Sequence, residues 1–266
     1  MKKLFSSSLW LIVQTTSLCT TLVMPVQAQS PNELSRGHVR ERRPIDAHVV
    51  NVVLSGPIQL NISSAAAPEL YVSGDSNLVP KVITSIEGDT LYIQTKGIFI
   101  AIGKAHQANV QLSLPTIEKL ISSGSGGSMM QGFKGNKLDL NLRGSGNFIL
   151  VADYAAVQLN SVGSGDAQLS LPHSQSLSLY SQGSGNITLK GEVKKLNATV
   201  SGAGNVNATA MRSVEAGIHL TGSAEMSAYV IEEIKAVTSG SGNLSILGNP
   251  AKHHIEHTGS GKIFWP

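Results

Sequence analysis

The residues best suited by type to do chemistry are three histidines near the C-terminus: His253, His254 and His257. Neutral imidazoles ligate zinc, copper and nickel, so a histidine cluster is first read as a metal site. On a strand, His253 and His257 would share the inward face, and His254 would point outward. Four residues of strand span about 13 Å, too far for both rings to reach one ion unless the chain bends. Inward histidines in a last coil read instead as an end cap. Acidic residues are the second candidate, because a polysaccharide-cleaving protein needs two carboxyl groups converging in one groove. Asp139, Asp153, Asp166, Glu192, Glu215 and Glu225 read as scattered solvated charges, and the adjacent Glu232 and Glu233 would face opposite sides of a strand. Serines are everywhere, but nothing orients one of them beside a base. The third candidate is a recurring Gly-Ser-Gly. A phosphate-cradling loop needs a strand before it, a helix after it and a lysine. Here strands follow the motif, so it reads as structural. These residues nominate no catalytic, cofactor-binding or metal-ligating position and no cofactor. The chain reads as a non-enzyme.

The elements that would position any such residue come from a repeat. The first glycine of each motif falls at Gly124, Gly144, Gly163, Gly183, Gly202, Gly222, Gly240 and Gly259, in steps of 20, 19, 20, 19, 20, 18 and 19 residues. A regular period of this length means a solenoid, each repeat one coil stacked on the last. After the glycines, Phe148, Ala167, Ile187, Val206, Met226, Leu244 and Ile263 occupy one column. Leu150, Leu169, Leu189, Ala208, Ala228, Ile246 and Trp265 occupy another, with mostly polar residues between the two. That alternation is a strand with one face inward. Before the glycines, Leu140, Leu159, Leu179, Ala198, Ile218, Ala236 and Ile255 mark a second strand, flanked by outward Asp139, Gln158, Ser178, Asn197, Gly217, Lys235 and His254. Segments such as Ala152-Asp153-Tyr154 and Leu171-Pro172-His173-Ser174 read as one corner and Gly-Ser-Gly as another. Every coil runs the same way round, so strands must pair in parallel at about 4.8 Å, giving a column on the order of 40 Å long. The expected fold is therefore all-β, a single-stranded parallel β-helix with coils of 19–20 residues. Glycine suits the corners because a sharp turn needs positive φ and close stacking leaves no room for side chains. Asn147, Asn186, Asn205 and Asn243, with Asp166 in their column, read as an incomplete ladder of stacked amides.

Composition agrees. Hydrophobic residues make up 41% of the 266 residues, aromatic residues 5% and charged residues 14%, with 27 glycines, which suits a tightly coiled β protein better than a helical one. Residues 1–28 read as an export signal. Lys2 and Lys3 start it, an apolar stretch runs from Leu9 to Val23, and Val26-Gln27-Ala28 has small-x-small cleavage spacing before Gln29. Gln14, Thr15, Thr16 and Ser17 interrupt the stretch, so it is short of the ~20 apolar residues of a membrane span. Cys19, the single cysteine, lies inside this segment behind Leu18, where a lipid-anchored cysteine would want a small neighbour. The mature chain then has neither disulfide nor thiolate site. Removing Lys2 and Lys3 takes the formal charge from +3 to +1, too little to argue for nucleic acid. Residues 29–44, with Arg36, Arg40, Arg42 and Arg43, read as a basic, flexible leader.

Residues 45–120 are less regular and read as atypical N-terminal coils, ahead of the regular repeats of 121–266. Val52 to Ile62 looks like strand, corner and strand. Leu70-Tyr71-Val72-Ser73-Gly74 follows with its glycine 18 residues after Gly56, as a further coil would. Thr84 to Ile93 reads as a hairpin around Gly88-Asp89. The order of Leu54-Ser55-Gly56-Pro57-Ile58, the Gly74-Asp75-Ser76-Asn77-Leu78 loop with Pro80, Asp89-Thr90-Leu91-Tyr92-Ile93, Val110 to Pro115 and the tandem Ser-Gly-Ser-Gly-Asn coils resembles the bacterial auto-transporter adhesin, head GIN domain family, over roughly residues 45–261. The resemblance implies a right-handed β-helix of three-faced cross-section in exported envelope proteins. It implies adhesion, and it carries over no catalytic or binding residue.

The expected function is that of an exported, non-enzymatic β-solenoid, periplasmic, outer-membrane-associated or extracellular. It would act as an adhesin or binding scaffold, with a glycan or protein partner on its polar outer faces or a second copy docked there. A carbohydrate-active β-helix enzyme and an envelope-maintenance scaffold are the alternatives. The Asn-x-Ser/Thr triplets at Asn186, Asn197 and Asn207 are expected by chance in so Asn- and Thr-rich a chain.

Overall fold

The repeated columns of the sequence lie over one another in space. The structure is a computed structural model and describes residues 37–97 and 107–265. The expected signal segment, 1–28, and residues 29–36 lie outside the described residues. The strands are β1 (His38–Arg43), β2 (Asn51–Ser55), β3 (Ile58–Ser64), β4 (Glu69–Asp75), β5 (Val82–Glu87), β6 (Thr90–Thr95), β7 (Ala108–Leu114), β8 (Lys119–Gly124), β9 (Ser128–Gly144), β10 (Phe148–Gly163), β11 (Ala167–Gly183), β12 (Ile187–Gly202), β13 (Val206–Gly222), β14 (Met226–Gly240), β15 (Leu244–Leu247), β16 (Lys252–Gly259) and β17 (Ile263–Phe264). From β8 onward all pairing between successive coils is parallel. The fold is a parallel β-solenoid of about 7 turns.

The pairing register reproduces the expected inward column residue for residue. Leu140, Leu159, Leu179, Ala198, Ile218, Ala236 and Ile255 are successive Cα partners. All but Ile255 are buried. Ile255 belongs to the last coil, which nothing described covers. Each long strand also contains the second corner. In β10 the buried parity runs Phe148, Leu150, Ala152, Tyr154, then slips to Val157 and Leu159. The register to the neighbouring coil shifts over the same stretch. Pro172 sits in the matching break between Leu171 and Ser174, where no ladder hydrogen bond is asked of it. Buried serines tie these corners together: Ser174 Oγ donates to the Tyr154 carbonyl at 2.7 Å, and Ser213 Oγ to the Tyr229 carbonyl at 2.8 Å.

The glycine corners work chiefly through backbone. The carbonyl of a corner glycine accepts N–H groups from the next coil: Ser145 and Gly146 both donate to Gly124 O at 3.0 Å, and the pair recurs up to Ser260 and Gly261 on Gly240, with Ser223 alone donating to Gly202. Because backbone N–H groups make these bonds, Ala203 keeps them: it and Gly204 donate to Gly183 O at 2.9 and 3.1 Å. All eight corner glycines have positive φ, from 89° to 147°. The second glycine of the motif is there for a different reason. Gly165 lies outside the left-handed region, but a Cβ on it would overlap the Gly146 carbonyl. Here close stacking, not positive φ, favours glycine, and Ala224, fully buried, takes the same position in the corner that starts at Gly222.

The asparagine column also differs from stacked amides. Each side-chain oxygen mostly accepts the backbone N–H one coil on: Asn147 from Asp166 (3.0 Å), Asp166 from Asn186 (2.8 Å), Asn186 from Asn205 (3.2 Å), Asn205 from Glu225 (3.1 Å) and Asn243 from Lys262 (2.9 Å). Only an acceptor is needed, so Asp166 fits. The last member needs none, so Lys262 fits.

The N-terminal end departs from the expected order. β2 lies between β6 and β8, and β3 between β7 and β9, all in parallel. The first coil in sequence is thus the second in the stack. β4 is not a further coil: it runs antiparallel to β7. β5 and β6 form the expected antiparallel hairpin. The expected flexible leader is corrected over its second half. His38–Arg43 forms β1, antiparallel to β4, with Arg40 opposite Ser73 and Arg42 opposite Tyr71. Its charges are those of a protected edge strand. Arg40 stacks on the Tyr71 ring at 3.9 Å, and Arg43 pairs with Glu41 at 2.7 Å.

Candidate functional site

Residues between the second corner and the glycine corner alternate strictly, so their outward members form straight columns along the stack. One column holds Asp139, Gln158, Ser178, Asn197, Gly217, Lys235 and His254. Its neighbour holds Asn141, Asn160, Tyr180, Thr199, His219, Val237 and Glu256. The middle of this face is neutral, rich in amides and hydroxyls, and its two ends carry charge. A depression of about 390 Å³ opens at the neutral middle, lined by Gln158, Asn160, Ser178, Tyr180, Asn197 and Thr199 over Leu159 and Leu179. Tyr180 is 42% exposed.

The carboxylates are not all scattered. Glu215 and Glu233 are neighbours in register, but Lys195 and Lys252 stand on either side of them in the same column. Lys235 also pairs with Glu233 at 2.8 Å. The hydrogen bond and charge of Lys235 hold the Glu233 carboxyl below its ordinary value, and Glu233 in turn raises Lys235. Both stay ionised across the physiological range, so Glu233 and Lys235 form an ion pair rather than an acid–base couple. The shared register was readable by counting back from Gly222 and Gly240. Asp139 pairs with Lys137 at 3.1 Å and Asp153 with Lys134 at 3.8 Å.

The histidines do not converge either. His253 and His257 register with buried Ile234 and Thr238, so their inward parity is as expected. His253 packs edge-on against Trp265 with ring centroids 5.1 Å apart, His257 Nδ1 lies 2.7 Å from Thr238 Oγ1, and His254 Nε2 lies 3.1 Å from Glu256. Each ring has its own separate contact, as an end cap would. Among the described residues no three His, Cys, Asp or Glu side chains are grouped to hold a metal ion, and no helix is long and apolar enough to cross a membrane.

Two further depressions of similar size lie among the described residues. One of about 310 Å³ near β1 is lined by Arg40, Glu69, Tyr71 and Gln111, with Arg40 donating to Gln111 at 3.1 Å. Another of about 370 Å³ at the second corner mixes His173, Glu192, Lys194 and Arg212 with Val193 and Ile231.

Residues 50–250, which form these parallel coils and glycine corners, match the family described as "Putative auto-transporter adhesin, head GIN domain". The chain belongs to this family. The match spans both the irregular N-terminal coils and nearly all the regular ones. No curated protein matches the chain. Among solved structures, it is similar to one from Parabacteroides distasonis described as a "putative lipid binding protein". That likeness has 24% identity and TM-score 0.74, and covers 86% of this chain and 96% of the other. It is also similar to a "putative adhesin" from Parabacteroides merdae at 20% identity and TM-score 0.73, covering 86% and 96%. A "putative adhesin" from Bacteroides fragilis follows at 18% identity and TM-score 0.61, covering 87% and 98%. At these identities the likeness establishes the shared solenoid.

Proposed function

We propose that the protein is an exported, non-enzymatic adhesin of the cell envelope that attaches through its outward polar columns. Membership of the adhesin-head family is the observation that carries this reading. The geometry agrees with it. Of the two carboxylates that share a register, Glu233 is paired with Lys235, and the long, flat faces offer many weak hydrogen bonds in rows rather than one deep cleft. The N-terminal run from Lys2 to Ala28 supports export. Two measurements test the reading. Protein recovered from the envelope fraction is expected to begin at Gln29. Cells lacking the protein are expected to attach less to a natural substratum, and purified protein to compete with attachment of wild-type cells. A cytoplasmic protein retaining Met1, or attachment indifferent to both deletion and competition, overturns it.

A further inference from the structure

We propose that the depression around Tyr180 binds a neutral oligosaccharide, a ligand assignment that rests on the adhesin reading. Tyr180 stands in the middle of a column whose other members there are Asn160, Thr199 and His219. The residue is 42% exposed on a polar face, and its hydroxyl makes one long bond, 3.4 Å to Gln182 Oε1. An aromatic face offers apolar contact to the C–H face of a sugar ring, while its edge and hydroxyl stay wet.

What surrounds the ring fixes the class of ligand. Gln158, Asn160, Ser178, Asn197 and Thr199 line the depression, and none carries a charge. Amides and hydroxyls both donate and accept, which is what sugar hydroxyls require. Phosphate, carboxylate and metal ligands would find no charged partner. Asn160 Nδ2 donates to Asn141 Oδ1 at 3.3 Å, yet Asn160 Oδ1 is shielded and receives no hydrogen bond among the described residues. A hydroxyl that turns this amide outward would complete it. Beyond Asn197 the column continues with Gly217, where any side chain would begin 3.0 Å from Asn197 Oδ1. The missing side chain leaves the depression open along the stack, so a ligand longer than one ring can follow the column. A protein partner is the less favoured occupant, because a stable interface wants about 800 Å² per side around an apolar centre. Here a single aromatic stands among amides and hydroxyls.

The test uses the purified exported chain on immobilised neutral oligosaccharides (glucan, mannan and chitin fragments), beside sialylated and uronic ones and a protein-coated surface. The expected result is binding to at least one neutral oligosaccharide. Tyr180→Ala should weaken it about tenfold or more, and Gly217→Gln likewise, with melting unchanged in both; Tyr180→Phe should keep most of it. The proposal is overturned if the folded wild-type chain binds no neutral oligosaccharide, binds only the charged or protein surfaces, or binds neutral ones equally with Tyr180→Ala. If cells carrying Tyr180→Ala still attach like wild type, this site falls and the adhesin reading stands. If wild-type cells show no attachment at all, the broader reading falls first.

Discussion

Gly163 and Gly165 sit two residues apart and are glycine for different reasons. Gly163 has φ 138° and also lies against Gly144; Gly165 has only the clash with the Gly146 carbonyl of the preceding coil. Gly88, by contrast, has φ 61° and open space around it. Gly165→Val should therefore abolish folding, and Gly165→Ala should cost several kcal/mol, on the order of a severe core overpacking. Gly88→Ala should cost only about 1 kcal/mol. Urea midpoints of the two alanine variants check the contrast, and equal midpoints would refute it. Tyr154 makes a second prediction. Its hydroxyl donates to the Ile117 carbonyl at 2.7 Å, and burial, followed by the Glu118 charge, pushes its ionisation above the ordinary phenol value of 10.0. In the unfolded chain the phenol ionises near 10.0, while the native state holds its proton to higher pH. This contribution is complete below pH 10.0 and is lost as pH rises beyond it, at up to about 1.4 kcal/mol per pH unit. Tyr154→Phe should lose about 1–2 kcal/mol at neutral pH and show a shallower alkaline decline. Chemical denaturation at pH 7 and above 10 measures both.

At the scale of the strand, period-two alternation revealed which residues point inward and nothing about which way the chain runs. Leu70 and Val72 are buried in β4 as they would be in a parallel coil, and the spacing from Gly56 to Gly74 matches a repeat. Only the pairing with β7 shows the reversed direction. β1 was illegible for a related reason. An edge strand guarded by arginines has the same composition as a solvated leader. The regular coils were legible because each inward residue must sit on its counterpart, so the column in sequence is the column in space. The Tyr180 depression was not legible, because it arises between two columns and three coils and is visible only once their side chains are placed. Leu179 is 3% exposed. Leu179→Asp places an unpaired charge between Leu159 and Ala198, and should unfold the stack or cost well over 3 kcal/mol; far-UV dichroism of the variant decides. Replacing Arg40 and Arg42 together by valine should leave β1 formed but expose an apolar edge, so that the chain self-associates on size-exclusion chromatography.

For the whole molecule, each coil touches chiefly its two neighbours, so stability should be nearly a sum over coils. Removing residues 203–222 rejoins Gly202 to Ser223 and keeps every remaining corner glycine in register, because Gly202, Gly222 and Gly240 are already stacked partners. The shortened chain should fold and melt cooperatively at a lower temperature. Removing residues 51–64 should abolish folding, since β2 and β3 are bounded on both sides by coils that would then meet out of register. Circular dichroism melts of the two deletions distinguish these outcomes. That same interleaving bears on how such a molecule can change length over generations. A duplicated turn among the regular coils slips in like a card into a deck, while one copied near β2 would have to be threaded through a closed hand. Relatives longer or shorter than this chain should therefore differ downstream of Gly124 and keep the starting arrangement intact.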